Sequence, residues 1–236
     1  MNVLDLFSGI GGFSLGLERA GMRTVAFCER DSFCRRVLDK HWPNVPIFDD
    51  VKTLDVTQID ADLYAGGFPC TQTSVAAAIH GKRVGLNGKD SGLWFEYIRH
   101  VKAGRPQWVI VENPGGIEAW EGEVKGGLES AGYRVSRLAF KASDFGLPHL
   151  RRRYFYVANR DGKRLEIARP ARPSTTEWVT RLAAHGGAWL ADTPRAGRGI
   201  DGVPDRVDRV HSLGNAVVPQ IPEIIGHAIL QSMEAA

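Results

Sequence analysis

The chain has 236 residues, of which 43% are apolar and 24% charged, with a formal net charge of +3. That length admits one large domain, or one domain carrying a small lobe, and the apolar fraction is enough for a core. No apolar run approaches the roughly 18 residues that a membrane span needs, and no basic leader precedes an apolar segment, so a cytoplasmic protein is expected.

Taken in chain order, residues 2–7 read as a short buried strand running into Ser8-Gly9-Ile10-Gly11-Gly12 and then a helical pattern over 13–20, closed by Gly21. A second apolar run, Thr24 to Cys28, ends at Glu29. A helix over about 32–40 follows, and then a strand-like run ending near Asp49-Asp50-Val51. Residues 62–67 look like strand and loop, a helix begins near Leu93, and Gln107 to Glu112 is the clearest strand of all. Tyr154 to Ala158 reads as another strand, and 221–233 as a closing helix with Ile224, Ile225, Ala228 and Ile229 on its apolar face. Strands alternating with helices at this spacing predict an α/β fold with a doubly wound, mostly parallel sheet. In such sheets ligands bind beyond the carboxyl ends of the strands, and Ser8, Glu29, Asp50, Cys70 and Glu112 all fall there.

The three cysteines, Cys28, Cys34 and Cys70, form no CxxC pair and no metal-ligand spacing with histidine. This points to a reducing compartment and gives no reason to expect a metal. An odd cysteine is either an inert buried thiol or a nucleophile. The charge is unevenly placed. Residues 151–209 carry 13 Lys and Arg against seven acids, and all but one of those cations are arginine. Arginine's planar fork suits phosphates and guanine edges, so nucleic-acid contact is favoured over a plain solvated face.

Glycine lets the 8–12 turn approach a bound cofactor where a side chain would clash, and Glu29 is placed to accept the hydroxyls of a ribose. A dinucleotide-binding oxidoreductase would show a similar turn. The second motif, Gly66-Gly67-Phe68-Pro69-Cys70-Thr71-Gln72-Thr73-Ser74, sets a proline directly before a cysteine at a strand's end.

From this motif onward the chain resembles the cytosine-C5 DNA methyltransferases, in order and over nearly its whole length. Asp5 to Gly12, including Phe7, Ser8, Gly9, Gly11 and Gly12, is similar to the family's cofactor loop. Glu29 matches its ribose-binding acid, Asp50-Val51 its adenine-contacting pair, Pro69-Cys70 its nucleophile motif and Glu112-Asn113 its catalytic acid motif. Arg151-Arg152-Arg153 falls where the family has two arginines spaced by one residue, and Gly214-Asn215-Ala216-Val217 matches the closing motif. The resemblance implies a Rossmann-like, S-adenosylmethionine-dependent enzyme of the kind found with restriction systems. Cys70 would attack C6 of a flipped cytosine, Glu112 would stabilise charge at N3, and Arg151 and Arg153 would hold O2 and brace the site. Pro69, Asn215 and Ala216 join the expected cofactor pocket.

Residues 79–89 suit a closing loop, with glycine hinges and with Lys82, Arg83 and Lys89 for phosphates. Arg152, Arg195 and Arg198 are further expected DNA contacts. The implied division is a catalytic domain over 1–158, a small irregular recognition lobe over 159–205 and a returning segment over 206–236. Departures from the family are Thr71 and Thr73 after the cysteine, Pro114 after Asn113, and His149 before the arginines. The lobe is short for the family, so the enzyme either reads a very short site or borrows contacts from a second copy or a partner protein. An RNA cytosine methyltransferase or a non-catalytic DNA-binding relative remain alternatives. An oxidoreductase leaves Pro69-Cys70, Glu112-Asn113 and Gly214-Asn215 without a role.

Overall fold

The computed structural model describes residues 1–69, 92–113, 118–141, 144, 152–163, 165, 167 and 216–234. Its seven strands are β1 (Asn2–Leu6), β2 (Arg23–Cys28), β3 (Ile47–Phe48), β4 (Leu63–Gly66), β5 (Trp108–Asn113), β6 (Arg134–Lys141) and β7 (Arg152–Asn159), in one sheet ordered 3-2-1-4-5-7-6. The described helices are α1 (Gly12–Arg19), α2 (Ser32–His41), α3 (Leu93–Gly104), α4 (Glu118–Ser130) and α5 (Gln220–Glu234). Strands β1 to β5 pair in parallel, as the alternating pattern predicts, whereas β7 runs antiparallel to both β5 and β6.

Strand β5 is buried at every position, with Val109 and Val111 facing one core and Trp108 and Ile110 the other. A strand covered on both faces reads as a continuous apolar run rather than an alternating one. Helices α1 and α5 cover the second face, α3 and α4 the first. Helix α2 is capped by Asp31, whose Oδ1 accepts from Cys34 N at 2.9 Å.

Four elements depart from the sequence pattern. The run ending near Asp49 shrinks to a two-residue strand, because Pro46 has no N–H and Asp50 Oδ1 accepts from Lys52 N at 2.9 Å, turning the chain. Helix α4 carries Gly122, Gly126 and Gly127, which hide its periodicity, and β6 mixes exposed and half-buried positions. The closing helix sits over the face of the sheet that holds β1. That strand lies inside the sheet between β2 and β4, and α5 packs on α1 over the sheet face. Its buried stripe is Ile221, Pro222, Ile225, Gly226 and Ile229, whereas Ile224 and Ala228 are only half-buried.

After β1 the chain winds outward through β2 and β3, then returns to place β4 on the other side of β1. The strand order reverses there, so a crevice opens beyond the carboxyl ends of β1 and β4. Because β7 is antiparallel, its first residues, Arg152 and Arg153, arrive at the edge where β5 ends in Glu112 and Asn113.

Candidate active site

The loop leaving β1 is held from beneath. Ser8 is buried, its Oγ donating to the Asp5 carbonyl at 2.6 Å and its N–H to the Cys28 carbonyl at 3.2 Å. The hydroxyl therefore ties β1 to β2 instead of facing outward. Phe7 has φ +55°, a conformation costing a non-glycine residue about 1–2 kcal/mol. Its ring stacks on Tyr97 of α3 at 6.3 Å and an interplanar angle of 14°. Trp94 stacks on Tyr97 in turn, and Phe68 of the loop after β4 meets Trp94 at 5.8 Å.

The glycines of this loop divide by what lies behind them. Around Gly9, with φ +54°, a Cβ would meet nothing within 4 Å. At Gly11 it would meet the Trp42 ring at 2.7 Å, and at Gly12 the Val217 carbonyl oxygen at 2.7 Å. Only Gly9 leaves open space, while Gly11 and Gly12 admit α2 and the segment before α5.

Glu29 zips two loops together. Its Oε2 accepts from Gly9 N and its Oε1 from Asp31 N, both at 2.7 Å. Each carboxylate oxygen has a second lone pair, so the group can still accept two hydroxyls. Asp50 is exposed and Val51 buried at the neighbouring loop. The Cys28 thiol beneath is pushed up to about 12, by burial first and then by Glu29, Asp50, Asp49 and Asp5. It is an inert thiol in an acidic setting.

At the end of β5, Glu112 is 9% exposed. Arg153 lies diagonally across from it on the same sheet face, two residues before the Phe155 that pairs with Glu112. Its Nε approaches Glu112 Oε1 at 2.7 Å, and its Nη1 donates to the Arg152 carbonyl at 3.1 Å. At the other carboxylate oxygen, a Cβ on Gly67 would stand 2.7 Å from Oε2, so a side chain there requires the carboxylate to move. An acid oriented by an arginine thus stands beside the loop carrying Pro69.

A family model described as C-5 cytosine-specific DNA methylase matches residues 1–183. The chain belongs to that family. Among its relatives, the Type II methyltransferase M2.BsuMI of Bacillus subtilis (strain 168) is 38% identical over 169 residues, 67% of this chain and 42% of that protein. The Type II methyltransferase M.AquIA of Picosynechococcus sp. is 31% identical over 191 residues, 71% of this chain and 75% of that protein. A solved structure of an E. coli prophage-encoded protein, described as a DNA modification methyltransferase, superposes with a TM-score of 0.58 at 27% identity. That match covers 71% of this chain and 49% of the other. The chain therefore spans less than half the length of the first and third of these proteins.

Of the residues expected to serve a family site, Phe7, Ser8, Gly9, Gly11, Gly12, Glu29, Asp50 and Val51 lie along the crevice loops, and Glu112, Arg153 and exposed Arg152 at the adjoining edge. Pro69 ends the described part of the loop after β4, and Ala216 begins the segment that docks on Gly12 and Gly16. Cys70, Lys82, Arg83, Lys89, Arg151, Arg195, Arg198 and Asn215 lie outside the described residues, as do Thr71, Thr73, Pro114 and His149. Sequence reasoning gave no site role to Gly67, Trp94, Tyr97, Arg99 and His100. The four α3 residues were legible as part of a helix beginning near Leu93, but nothing in the pattern said which face met the crevice. Among the described residues no group of three or more His, Cys, Asp or Glu could hold a metal, and no helix is long and apolar enough to cross a membrane.

Proposed function

We propose that this protein transfers a methyl group from S-adenosylmethionine to C5 of a cytosine flipped out of duplex DNA. The observation that carries this reading is the Glu112–Arg153 pair at 2.7 Å, at the edge of a crevice in a chain of the C-5 cytosine methylase family. C5 of cytosine is a poor nucleophile. A Cys70 thiolate adding at C6 pushes an electron pair toward N3 and O2 and makes C5 enamine-like. Glu112 stabilises the charge arriving at N3, and Arg153 holds that carboxyl group in place. Arg151 contacts O2. After C5 is methylated, a base removes its proton and the returning electron pair expels the Cys70 thiolate.

The crevice residues fit the cofactor. The open face over Gly9 admits a close approach, and Glu29 keeps lone pairs for the ribose hydroxyls. The Glu29 carboxylate beside the ribose favours the positive charge of a sulfonium, and Asp50 and Val51 meet the adenine. When bound, that cofactor supplies the electrophilic methyl group. Around it we place Phe7, Ser8, Gly11, Gly12, Val51 and Pro69, with Asn215 and Ala216 closing the pocket.

Lys82, Arg83 and Lys89 close behind the flipped base on the phosphate backbone, with Arg152, Arg195 and Arg198 as further DNA contacts. In this reading 1–158 is catalytic, 159–205 a small recognition lobe and 206–236 the returning segment. A lobe that short reads a short site or is completed by a second copy or partner protein. The relatives named as Type II methyltransferases favour a modification role in a bacterial or phage-infected cytoplasm.

The test is incubation with duplex DNA, tRNA and methyl-labelled cofactor, in wild-type and Cys70→Ala forms. Label enters DNA, Cys70→Ala abolishes transfer while still binding cofactor, and 5-fluorocytosine in the target site traps a covalent adduct. Label entering RNA alone, or full turnover by Cys70→Ala, refutes the reading.

A further inference from the structure

Helix α3 reaches three of the loops that wall the crevice. Tyr97 stacks on Phe7, Trp94 meets Phe68, and the next turn of the helix grips the backbone at residues 51 and 52. The helix itself is fixed to the sheet, since Tyr97 Oη donates to the Ile110 carbonyl at 3.0 Å. His100 is fully buried, and its Nε2 lies 2.6 Å from the Val51 carbonyl oxygen. A carbonyl only accepts, so Nε2 carries a proton, and in the neutral ring Nδ1 is then a bare acceptor. That Nδ1 finds no partner among the described residues. Burial holds the imidazole below its ordinary pKa, which favours the neutral ring.

Arg99 acts beside it. Its Nη2 donates to the carbonyls of Val51 at 3.2 Å and Lys52 at 3.1 Å, while its Nε pairs with Glu96 at 2.8 Å. A leucine at residue 100 would fill similar space without orphaning an acceptor. What the imidazole adds is one N–H on Val51. The turn it holds is the one in which Asp50 O accepts from Thr53 N and Leu54 N, leaving Asp50 itself exposed beside the crevice.

We propose that His100 is a positioning residue for the cofactor. Together with Arg99 it fixes the carbonyls of Val51 and Lys52, and so sets where Asp50 and Val51 meet the adenine. The proposal rests on the reading that the crevice takes S-adenosylmethionine.

The experiment is calorimetric binding of S-adenosylmethionine to the full chain and to His100→Leu, His100→Gln and Arg99→Met, with steady-state kinetics on duplex DNA. His100→Leu and Arg99→Met each weaken cofactor binding roughly five- to tenfold and raise its KM to match. At saturating cofactor, kcat and the KM for DNA change by less than about twofold. His100→Gln, whose amide offers an N–H to the same carbonyl, restores most of the affinity. Unchanged cofactor affinity in His100→Leu and Arg99→Met overturns the proposal, as does an equal loss in every kinetic constant. Wild-type protein that binds no cofactor overturns the functional reading instead. If His100→Leu does not fold, Arg99→Met decides alone, because the Arg99 side chain is 47% exposed and lies outside the core.

Discussion

A Cβ on Gly67 would stand 2.7 Å from Glu112 Oε2, so the loop that leads to Cys70 and the carboxylate that would face the cytosine are in direct contact. A methyl group fits at this position only if the carboxylate moves. The proposed chemistry needs Glu112 within hydrogen-bond reach of N3 while Cys70 reaches C6 of the same ring, and the contact sets the spacing of the two supports. Gly67→Ala pushes the carboxylate aside. Its kcat on DNA is expected to fall roughly hundredfold, the penalty of an ångström-scale misplacement. Cofactor affinity and melting temperature should stay near wild type, and a Gly67→Ala enzyme with normal kcat would separate Glu112 from the reaction.

Arg153 holds the same carboxylate from the opposite side. Their side chains are 21% and 12% exposed, which makes the pair stronger than a surface salt bridge yet short of full burial. Arg153→Met removes the charge-assisted bond while keeping much of the side-chain volume. A loss of about 1.5–3 kcal/mol in transition-state stabilisation is expected, which is roughly a ten- to hundredfold fall in kcat/KM for DNA. Calorimetric binding of S-adenosylmethionine serves as the control and should be unchanged. Equal losses in cofactor binding and in rate would mean that Arg153 acts on the fold and not on Glu112.

Much of this site was legible because the chemistry sits where parallel strands end. Glu29 and Glu112 each follow an apolar run, and the run's end marks the crevice edge. Arg153 was legible only as a residue type. That it reaches Glu112 follows from β7 running antiparallel to β5, and no local pattern in Tyr154 to Ala158 reports strand direction. The glycines were legible only in part. Glycine serves both backbone turning and close packing, and the one-dimensional pattern does not separate the two. Gly12 read as a cofactor contact, and a Cβ there would also meet Val217, more than 200 residues away in the chain, a packing role that no local pattern reports. Helix α4 was hidden for the same reason, its glycines diluting the apolar spacing.

Asp5 makes a pH prediction. It is fully buried under the crevice, and Oδ2 accepts from Ser14 Oγ at 2.7 Å and Ser14 N at 3.3 Å. Burial pushes its pKa up to about 8, outweighing those two hydrogen bonds. The folded protein therefore holds a proton on Asp5 that the unfolded chain releases near pH 3.8, and stability falls as pH rises from that value to about 8. His100, held below 6.5, acts with the opposite sign and only on the acid side of that value. Asp5→Asn keeps an acceptor for Ser14 and cannot ionise. Its melting temperature relative to wild type should rise between about pH 6.5 and about pH 8.5, where His100 contributes no slope. A difference that stays flat across that range would mean that Asp5 ionises normally in the folded state.

The two ends of the first glycine motif should behave oppositely when given a methyl group. Gly9 has φ +54° and open space around it, so Gly9→Ala strains the backbone by about 1–2 kcal/mol and puts a methyl group where the cofactor would approach. Gly12 is helical, and its α-hydrogen faces the Val217 carbonyl oxygen at a distance where a Cβ would stand at 2.7 Å. Gly12→Ala therefore pushes the segment before α5 off α1, an overpacking expected to cost about 1–3 kcal/mol of stability. Denaturant unfolding and cofactor calorimetry separate the two. Gly9→Ala should lose more in cofactor affinity than Gly12→Ala, and Gly12→Ala more in unfolding free energy than its loss of affinity explains. If Gly12→Ala binds cofactor poorly and unfolds at the wild-type denaturant midpoint, the glycine faces the cofactor after all, and the docking of Val217 on it contributes nothing to stability.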